Sequence, residues 1–444
     1  MEFEIVILGA GPAGLGAGYR AMQDGGERSW HIFEASDSVG GLSASRRDEN
    51  GFTWDLGGHV IFSKDNLFNS VVDNALGDDA LTHDRFAFIR MMERFIPFPL
   101  QNNIHRLPKP AMEECLAGMV EASKGEPSVV RNFYEWIEAR LGSGLAKHFM
   151  WPYNRKVWDF PMEEMGFGWI DERVSLPDIN KIRRAVETGE DETGWGGNAT
   201  FRFPRRGGTG GLFEKIAEPF ADSISFGYEA VKINPVEKVV TFSNGKTVRY
   251  KRLITTVPLD KLIKEYMVSP PAETLKCADE LKSNAGWIVG IGIGRKIEAE
   301  RCWVYFPEDN APFYRVTYFS NYSPENVPDI QNQTSFLCEV SVGPGREQAE
   351  ERVVDDTLRG LIDTGLLESS DRDIVVSTWK ERLPYSYPIP TIERDAALLV
   401  IQEYLKGVSI DSVGRFGGWR YEQGNMDHSF LAGVEAIKKI EKEG

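Results

Sequence analysis

Four cysteines in 444 residues are too few and too scattered to staple a fold. Cys115, Cys277, Cys302 and Cys338 lie far apart and form neither a metal-ligand nor a redox-pair spacing. That pattern excludes a disulfide scaffold and a zinc module, and it suits buried thiols in a reducing, cytoplasmic setting. Basic charge is also short. Lys and Arg number 51 against 67 Asp and Glu, a net charge of −16. Basic runs are brief, so neither nucleic acid nor an anionic membrane is an expected partner. An anionic substrate would need local arginines working against the global field. No apolar stretch approaches the roughly 20 residues of a membrane span. The N-terminus passes almost directly into a strand pattern without signal-peptide features. Internal repeats and low-complexity segments are missing too.

What is present begins at the N-terminus. Ile5-Val6-Ile7-Leu8 reads as a buried parallel strand. Gly9, Gly11 and Gly14 follow in the dinucleotide spacing. The first glycine allows a tight turn, the second lets backbone N–H groups approach a pyrophosphate, and the third seats a helix against the strand. The helix N-terminus offers unpaired N–H groups and partial positive charge to phosphates. Trp30 to Glu34 reads as a second strand ending in a carboxylate 20 residues past Gly14. Glu34 is placed to accept ribose hydroxyls.

Glycine pairs then recur at Gly40-Gly41-Leu42 and Gly57-Gly58-His59. Paired glycines let backbone lie flat against a phosphate or a ring. This arrangement resembles the large flavoprotein group that includes amine oxidases and protoporphyrinogen oxidase, in which the dinucleotide is FAD.

Residues 84–100 look β-like, with Pro97 and Pro99 suggesting an edge or crossover segment. Met112, Cys115, Leu116, Met119 and Val120 fall at helical spacing after Pro108 and Pro110, and Phe133, Trp136, Ile137 and Leu141 repeat the pattern. Residues 110–190 therefore read as a helical insertion. Within it, Phe149 to Trp158 is aromatic-rich with Asn154 and Arg155. That suits either helix-packing core or a base-plus-phosphate ligand. Gly194 to Gly211 is glycine-rich and leads into a helix from about Leu212. Val239–Phe242, Asn244-Gly245 and Lys246–Tyr250 read as a hairpin, and Leu253–Val257 as a further strand. From about residue 285 the pattern is β-rich, at 287–293, 302–306, 313–319 and 336–342. A helix bearing Val354, Leu358, Leu361 and Ile362 follows, with Gly365 as its stop. The block from Arg415 to Ser429 is a glycine loop delivering a helix that carries Phe430, Leu431, Val434 and Ile437. In an FAD fold that helix end would favour negative charge on reduced flavin.

Several blocks together resemble the UDP-galactopyranose mutases, and the eukaryotic branch more than the short bacterial one. They include residues 57–63, 101–104 and 152–158, then 198–204, 302–310, 319–324 and 415–430. With the opening motif they cover nearly the whole chain. The resemblance implies an α/β fold built of three units. A discontinuous Rossmann-like FAD-binding domain takes 1–90, 200–275 and 388–444. A helical substrate and flap domain takes 105–195. An antiparallel β-sheet substrate domain takes 91–104 and 276–387. It also implies a redox-neutral isomerisation of UDP-galactopyranose and UDP-galactofuranose. FAD must first be reduced by NADPH or NADH, and its N5 then acts as the nucleophile at the anomeric carbon.

Residue roles follow from the same resemblance. Arg173 and Arg315 would clamp the pyrophosphate with planar donors. Tyr305, Tyr387 and Tyr421 would donate to it, and Asn198 would contact the closed site. Gln101, Phe149, Tyr153, Asn154, Trp158 and Trp303 would form the substrate pocket, with Tyr153 and Trp158 beside uridine and Gln101 on the uracil edge. His59 would sit beside flavin N5, and Asn425 would face flavin and sugar phosphate. Gly9, Gly11, Gly14, Glu34, Gly41, Leu42, Gly57, Gly58, Val231, Arg415, Gly424, Met426 and Ser429 would hold FAD. Phe98, Leu100 and Ala87 depart from the family pattern at the nucleotide end. No metal is expected, and a homo-oligomer is left open. Two other readings use the same residues: a mutase for another nucleotide sugar, and a flavin oxidase or dehydrogenase of the amine-oxidase type. A non-catalytic nucleotide-sugar or NAD(P)-binding protein on the same fold is a third.

Overall fold

The computed structural model describes residues 1–124, 129–170, 174, 176–193, 199–347 and 349–443. β1 (Glu2–Leu8) is the expected first strand, and it pairs in parallel with β2 (Trp30–Phe33) and with the strand Thr247–Thr255. Its apolar run is continuous because both faces are covered. Ile5 and Ile7 enter one core with Ile32 and Ile254, while Val6 and Leu8 enter another with Phe33 and Leu253. Helix α1 (Pro12–Gln23) follows, with proline at its start and Gly11 as its N-cap. A Cβ at Gly14 would lie 1.8 Å from the Gly9 carbonyl oxygen, so the helix can sit this close to the turn only through glycine. Gly9 itself has φ +98°, a left-handed conformation that favours glycine.

From one edge the first sheet runs Ala230–Asn234, Val239–Phe242, Thr247–Thr255, β1, β2 and Ile224–Ser225. Ile410–Ser412 joins it beside the later half of Thr247–Thr255. The Asn244-Gly245 hairpin is present. The strands expected at 246–250 and 253–257 are one continuous strand, because its first residues pair with Val239–Thr241 and its last with Ile410–Ser412.

The second sheet runs Val375–Ile389, Lys282–Ile293, Thr334–Val342, Arg315–Tyr318, Trp303–Tyr305, Ala87–Met91 and Arg94–Pro97. Neighbours are antiparallel except Trp303–Tyr305 with Ala87–Met91. Ala87–Met91 belongs to this sheet, ahead of the boundary expected at residue 91. Pro97 ends the other edge strand, as its missing N–H requires. The longest strand, Val375–Ile389, has no counterpart in the sequence reading. It holds Pro384 and Pro388, which an edge strand tolerates.

The helices Lys109–Ala122, Phe133–Leu141, Trp151–Trp158 and Ile179–Thr188 make up the insertion. Cys115, Met119, Phe133, Ile137 and Leu141 form its buried core, so those stripes are structural. The helix expected around Val354–Ile362 is Val353–Asp363, and Gly365 follows at φ +75°. All four cysteines are free. Cys115, Cys302 and Cys338 are buried, while Cys277 is partly exposed, against expectation. Among the described residues no helix is long and apolar enough to cross a membrane, and no cluster of side chains could hold a metal ion.

Candidate active site

A cavity of about 780 Å³ runs between the two sheets' contributions. That lies within the roughly 300–1,000 Å³ of small-molecule sites. Gly9, Gly11, Glu34, Gly41 and Leu42 line it, and so do Gly57, Gly58 and His59. The Glu34 carboxylate is buried. Oε2 accepts from the Ala10 N–H at 2.6 Å and Oε1 from the Ser36 N–H at 2.9 Å. The Ser36 hydroxyl also donates to Oε1 at 2.8 Å; together these bonds lock the carboxylate at the end of β2 and leave a lone pair on Oε2 for a ribose. Gly14 does not reach the cavity; its part is to seat α1 against the turn.

The loop at Gly57-Gly58-His59 meets the second sheet. A Cβ at Gly58 would lie 2.5 Å from Thr317 Oγ1 and 3.0 Å from Glu339 Oε1, so only glycine fits. The Gly58 N–H donates to Glu339 Oε1 at 3.1 Å, and Arg315 Nε donates to the same oxygen at 2.6 Å. Tyr314 donates its hydroxyl to Glu339 Oε2 at 2.6 Å, and that hydroxyl is 3.2 Å from the Tyr387 hydroxyl. Burial pushes the Glu339 carboxyl upward, but the Arg315 charge and these donors hold it below its ordinary value. The pair keeps both ions charged inside the protein. Burial pushes the His59 imidazole down to about 3, assisted by Arg415, so it is neutral. His59 Nδ1 is buried with no hydrogen-bond partner.

Arg315, Tyr387, Arg415, Tyr421, Gly424, Asn425, Met426 and Ser429 all line this cavity. Arg415 Nε donates to the Gly424 carbonyl at 2.9 Å, and its guanidinium lies 5.4 Å from the Tyr387 ring centroid. This closes the loop that delivers the helix Met426–Glu443. Asp427 in its first turn accepts from Ser63 at 2.7 Å, while its Oδ1 is buried without a partner. Behind the lining residues Tyr387 and Tyr421, the buried Trp158 packs 4.8 Å from the Tyr421 ring and 6.1 Å from Tyr387. A second group joins Phe149, Tyr153, Tyr305 and Phe98 at ring separations of 5.2–5.4 Å. Burial raises the Tyr153, Tyr305 and Tyr387 hydroxyls above the ordinary value, so they remain donors.

Some expected residues lie elsewhere. Val231 sits at a β-bulge in Ala230–Asn234; its side chain is 41% exposed, and Tyr228, Glu229 and Ala230 line the cavity instead. Asn154 donates to the Met150 carbonyl at 2.8 Å within its own stretch of helix. Trp303 packs 6.0 Å from Phe201 in an apolar core. Gln101, Phe149 and Trp158 are all buried outside the cavity lining, the last two in the core of the helical insertion. Arg173 and Asn198 lie outside the described residues.

Glu339, Tyr314 and Asp427 were missed. Glu339 did carry a signal, as the lone carboxylate in the apolar run Phe336 to Val340. A charge in a strand buried on both faces needs a buried partner.

A profile of the flavin containing amine oxidoreductase family matches residues 12–408. The chain is similar to a crystal structure of reduced UDP-galactopyranose mutase, with 41% identity and a TM-score of 0.95 over 100% of this chain and 95% of that one. It shares the fold of a putative protoporphyrinogen oxidase from Exiguobacterium sp. 255-15, with 16% identity and a TM-score of 0.73 over 99% of each chain. Cyclohexylamine oxidase from Brevibacterium oxydans IH-35A shares it too, with 14% identity and a TM-score of 0.70 over 100% of this chain and 99% of that one.

Proposed function

Since the chain belongs to the flavin containing amine oxidoreductase family and, within it, to the UDP-galactopyranose mutases, we propose that it interconverts UDP-galactopyranose and UDP-galactofuranose. The observation that carries this reading is Arg315. It is a cation in an acidic protein, buried against Glu339 beside Gly58, in the same cavity as the opening glycine motif.

The residues fit FAD. Glu34 Oε2 keeps a lone pair for a ribose, the backbone at Gly9 and Gly11 is open to a pyrophosphate, and His59 Nδ1 and Asp427 Oδ1 are buried polar atoms with bonding capacity to spare. Bound and reduced, the flavin supplies the nucleophile at the anomeric carbon. The chain's own groups bind, orient and stabilise. Arg315 attracts the substrate diphosphate and stabilises the extra negative charge it takes on as it leaves the anomeric carbon. Tyr387 and Tyr421, and Tyr305 nearby, direct their hydroxyls as donors toward the same phosphates. Arg173 and Asn198 complete that clamp in our reading. Neutral His59 orients the ring region without adding charge. Tyr153 and Trp158 flank the uridine. NADPH or NADH is the reductant we propose.

The test is an anaerobic assay. The flavin is reduced, UDP-galactofuranose is added, and UDP-galactopyranose is sought by chromatography. Turnover is expected only with reduced enzyme. No turnover, together with oxygen consumption on an amine or a porphyrinogen, overturns the reading. Arg315→Ala should lose most activity while keeping a flavin spectrum.

A further inference from the structure

Asn284 is fully buried and lies outside the cavity lining, yet it joins the helix Trp151–Trp158 to the strand Val375–Ile389, which lines the cavity at Leu383–Tyr387. Its Nδ2 donates to the Val157 carbonyl at 3.0 Å and to the Trp158 carbonyl at 3.4 Å. These are orphan acceptors at the C-terminal end of the helix Trp151–Trp158. Its Oδ1 accepts from the Tyr387 N–H at 2.8 Å. The two N–H groups face carbonyls and the oxygen faces an N–H, so the amide has one workable orientation. Asn284 and Tyr387 are register partners on neighbouring strands, next to a bulge that interrupts the ladder at residues 284–286. A regular ladder therefore does not by itself set Tyr387 against the helix.

We infer that Asn284 is a positioning residue that sets Trp158 and Tyr387 in register, so that the base side and the diphosphate side of one nucleotide are bound as a unit. This rests on the reading above, in which Trp158 flanks uridine and Tyr387 donates to the diphosphate. The two rings lie 6.1 Å apart, and Trp158 reaches Tyr421 at 4.8 Å. A shift of the helix end relative to the sheet leaves each half-site intact and moves one away from the other. A ligand spanning both then loses affinity, while a ligand touching one side does not. Asparagine is required rather than aspartate, because a carboxylate would set its lone pairs against the Val157 and Trp158 carbonyls.

Ser341 supplies the comparison. Its hydroxyl also donates to the Val157 carbonyl, at 2.6 Å, but it makes no bond to Tyr387. It caps the helix without linking the two half-sites.

The experiment measures UDP and uridine binding by calorimetry on flavin-loaded wild type, Asn284→Ala, Asn284→Asp and Ser341→Ala. UDP affinity should fall about tenfold in both Asn284 variants, within the range of couplings between linked residues. Uridine affinity should stay within about twofold, and Ser341→Ala should hold both ligands within about twofold. Equal losses for UDP and uridine, no UDP loss, or an equal UDP loss in Ser341→Ala would each overturn the inference. If Asn284→Ala does not retain FAD, Asn284→Ser is measured in its place and judged by the same comparison. Wild type that fails to bind UDP defeats the functional reading instead, so the two failures are distinct.

Discussion

Arg315 and Glu339 are direct cross-strand partners, and the Arg315 Nε donates to Glu339 Oε1 at 2.6 Å. The side chains are 20% and 4% exposed, so water does little to screen the pair. Removing one ion strands the other, which typically costs about 3–5 kcal/mol. Arg315→Ala should therefore lose stability on that scale in urea unfolding. Adding Glu339→Gln should recover more than about 1 kcal/mol of it, because no uncompensated carboxylate remains. Simple addition of the two losses would falsify the coupling.

His59 gives a pH dependence of known sign. Burial holds the folded imidazole at about 3, against about 6.5 in an unfolded chain. Between those values the unfolded state binds more protons. The stabilising contribution is complete above about pH 6.5 and is lost as pH falls toward 3. Unfolding midpoints of wild type and His59→Gln, followed from pH 7.5 to pH 4, should converge or cross toward the acid end. Parallel curves would mean that the imidazole protonates freely in the folded protein.

Asp55 should behave oppositely. Burial raises its carboxyl to about 7, although Ser45 and Thr209 donate to it. Its folded value lies above the unfolded one, so the folded state binds the extra proton between about pH 4 and pH 7. That contribution is present at low pH and disappears as pH rises through 7. Asp55→Asn cannot titrate, and its melting temperature should gain on wild type between pH 5 and pH 8. A constant difference would place the Asp55 carboxyl in the ordinary range.

The glycine turn makes a steric prediction. At Gly14 a Cβ would lie 1.8 Å from the Gly9 carbonyl oxygen, so Gly14→Ala must push α1 off the turn. The flavin-to-protein absorbance ratio of the purified variant should drop several-fold. Gly407 ends the helix Arg394–Gly407, and a methyl group there would meet nothing within 4 Å. Gly407→Ala should keep the wild-type ratio and gain up to about 1 kcal/mol. Equal flavin retention in both variants would show that close packing at Gly14 is not needed to hold the cofactor.

The amino-acid sequence by itself determined the local signals. The apolar run at Ile5–Leu8, the glycine spacing after it, the hairpin at Asn244-Gly245 and the helix stripes at 112–120 and 133–141 all depend on neighbours within a few residues. Glu34 was legible too, since its place at a strand end follows from the motif. The tertiary structure decided the rest of the site. Gly58 and Glu339 meet across 281 residues, and Asn284 reaches both Val157 and Tyr387 across more than a hundred. No local period records such pairings, because they arise only when strands find their register. Val375–Ile389 shows the same limit: a strand with two prolines is accommodated only because it lies at the sheet's edge, which no local pattern records. Val231 shows it in reverse, since a single bulge turned its side chain to solvent and left its neighbours facing the cavity.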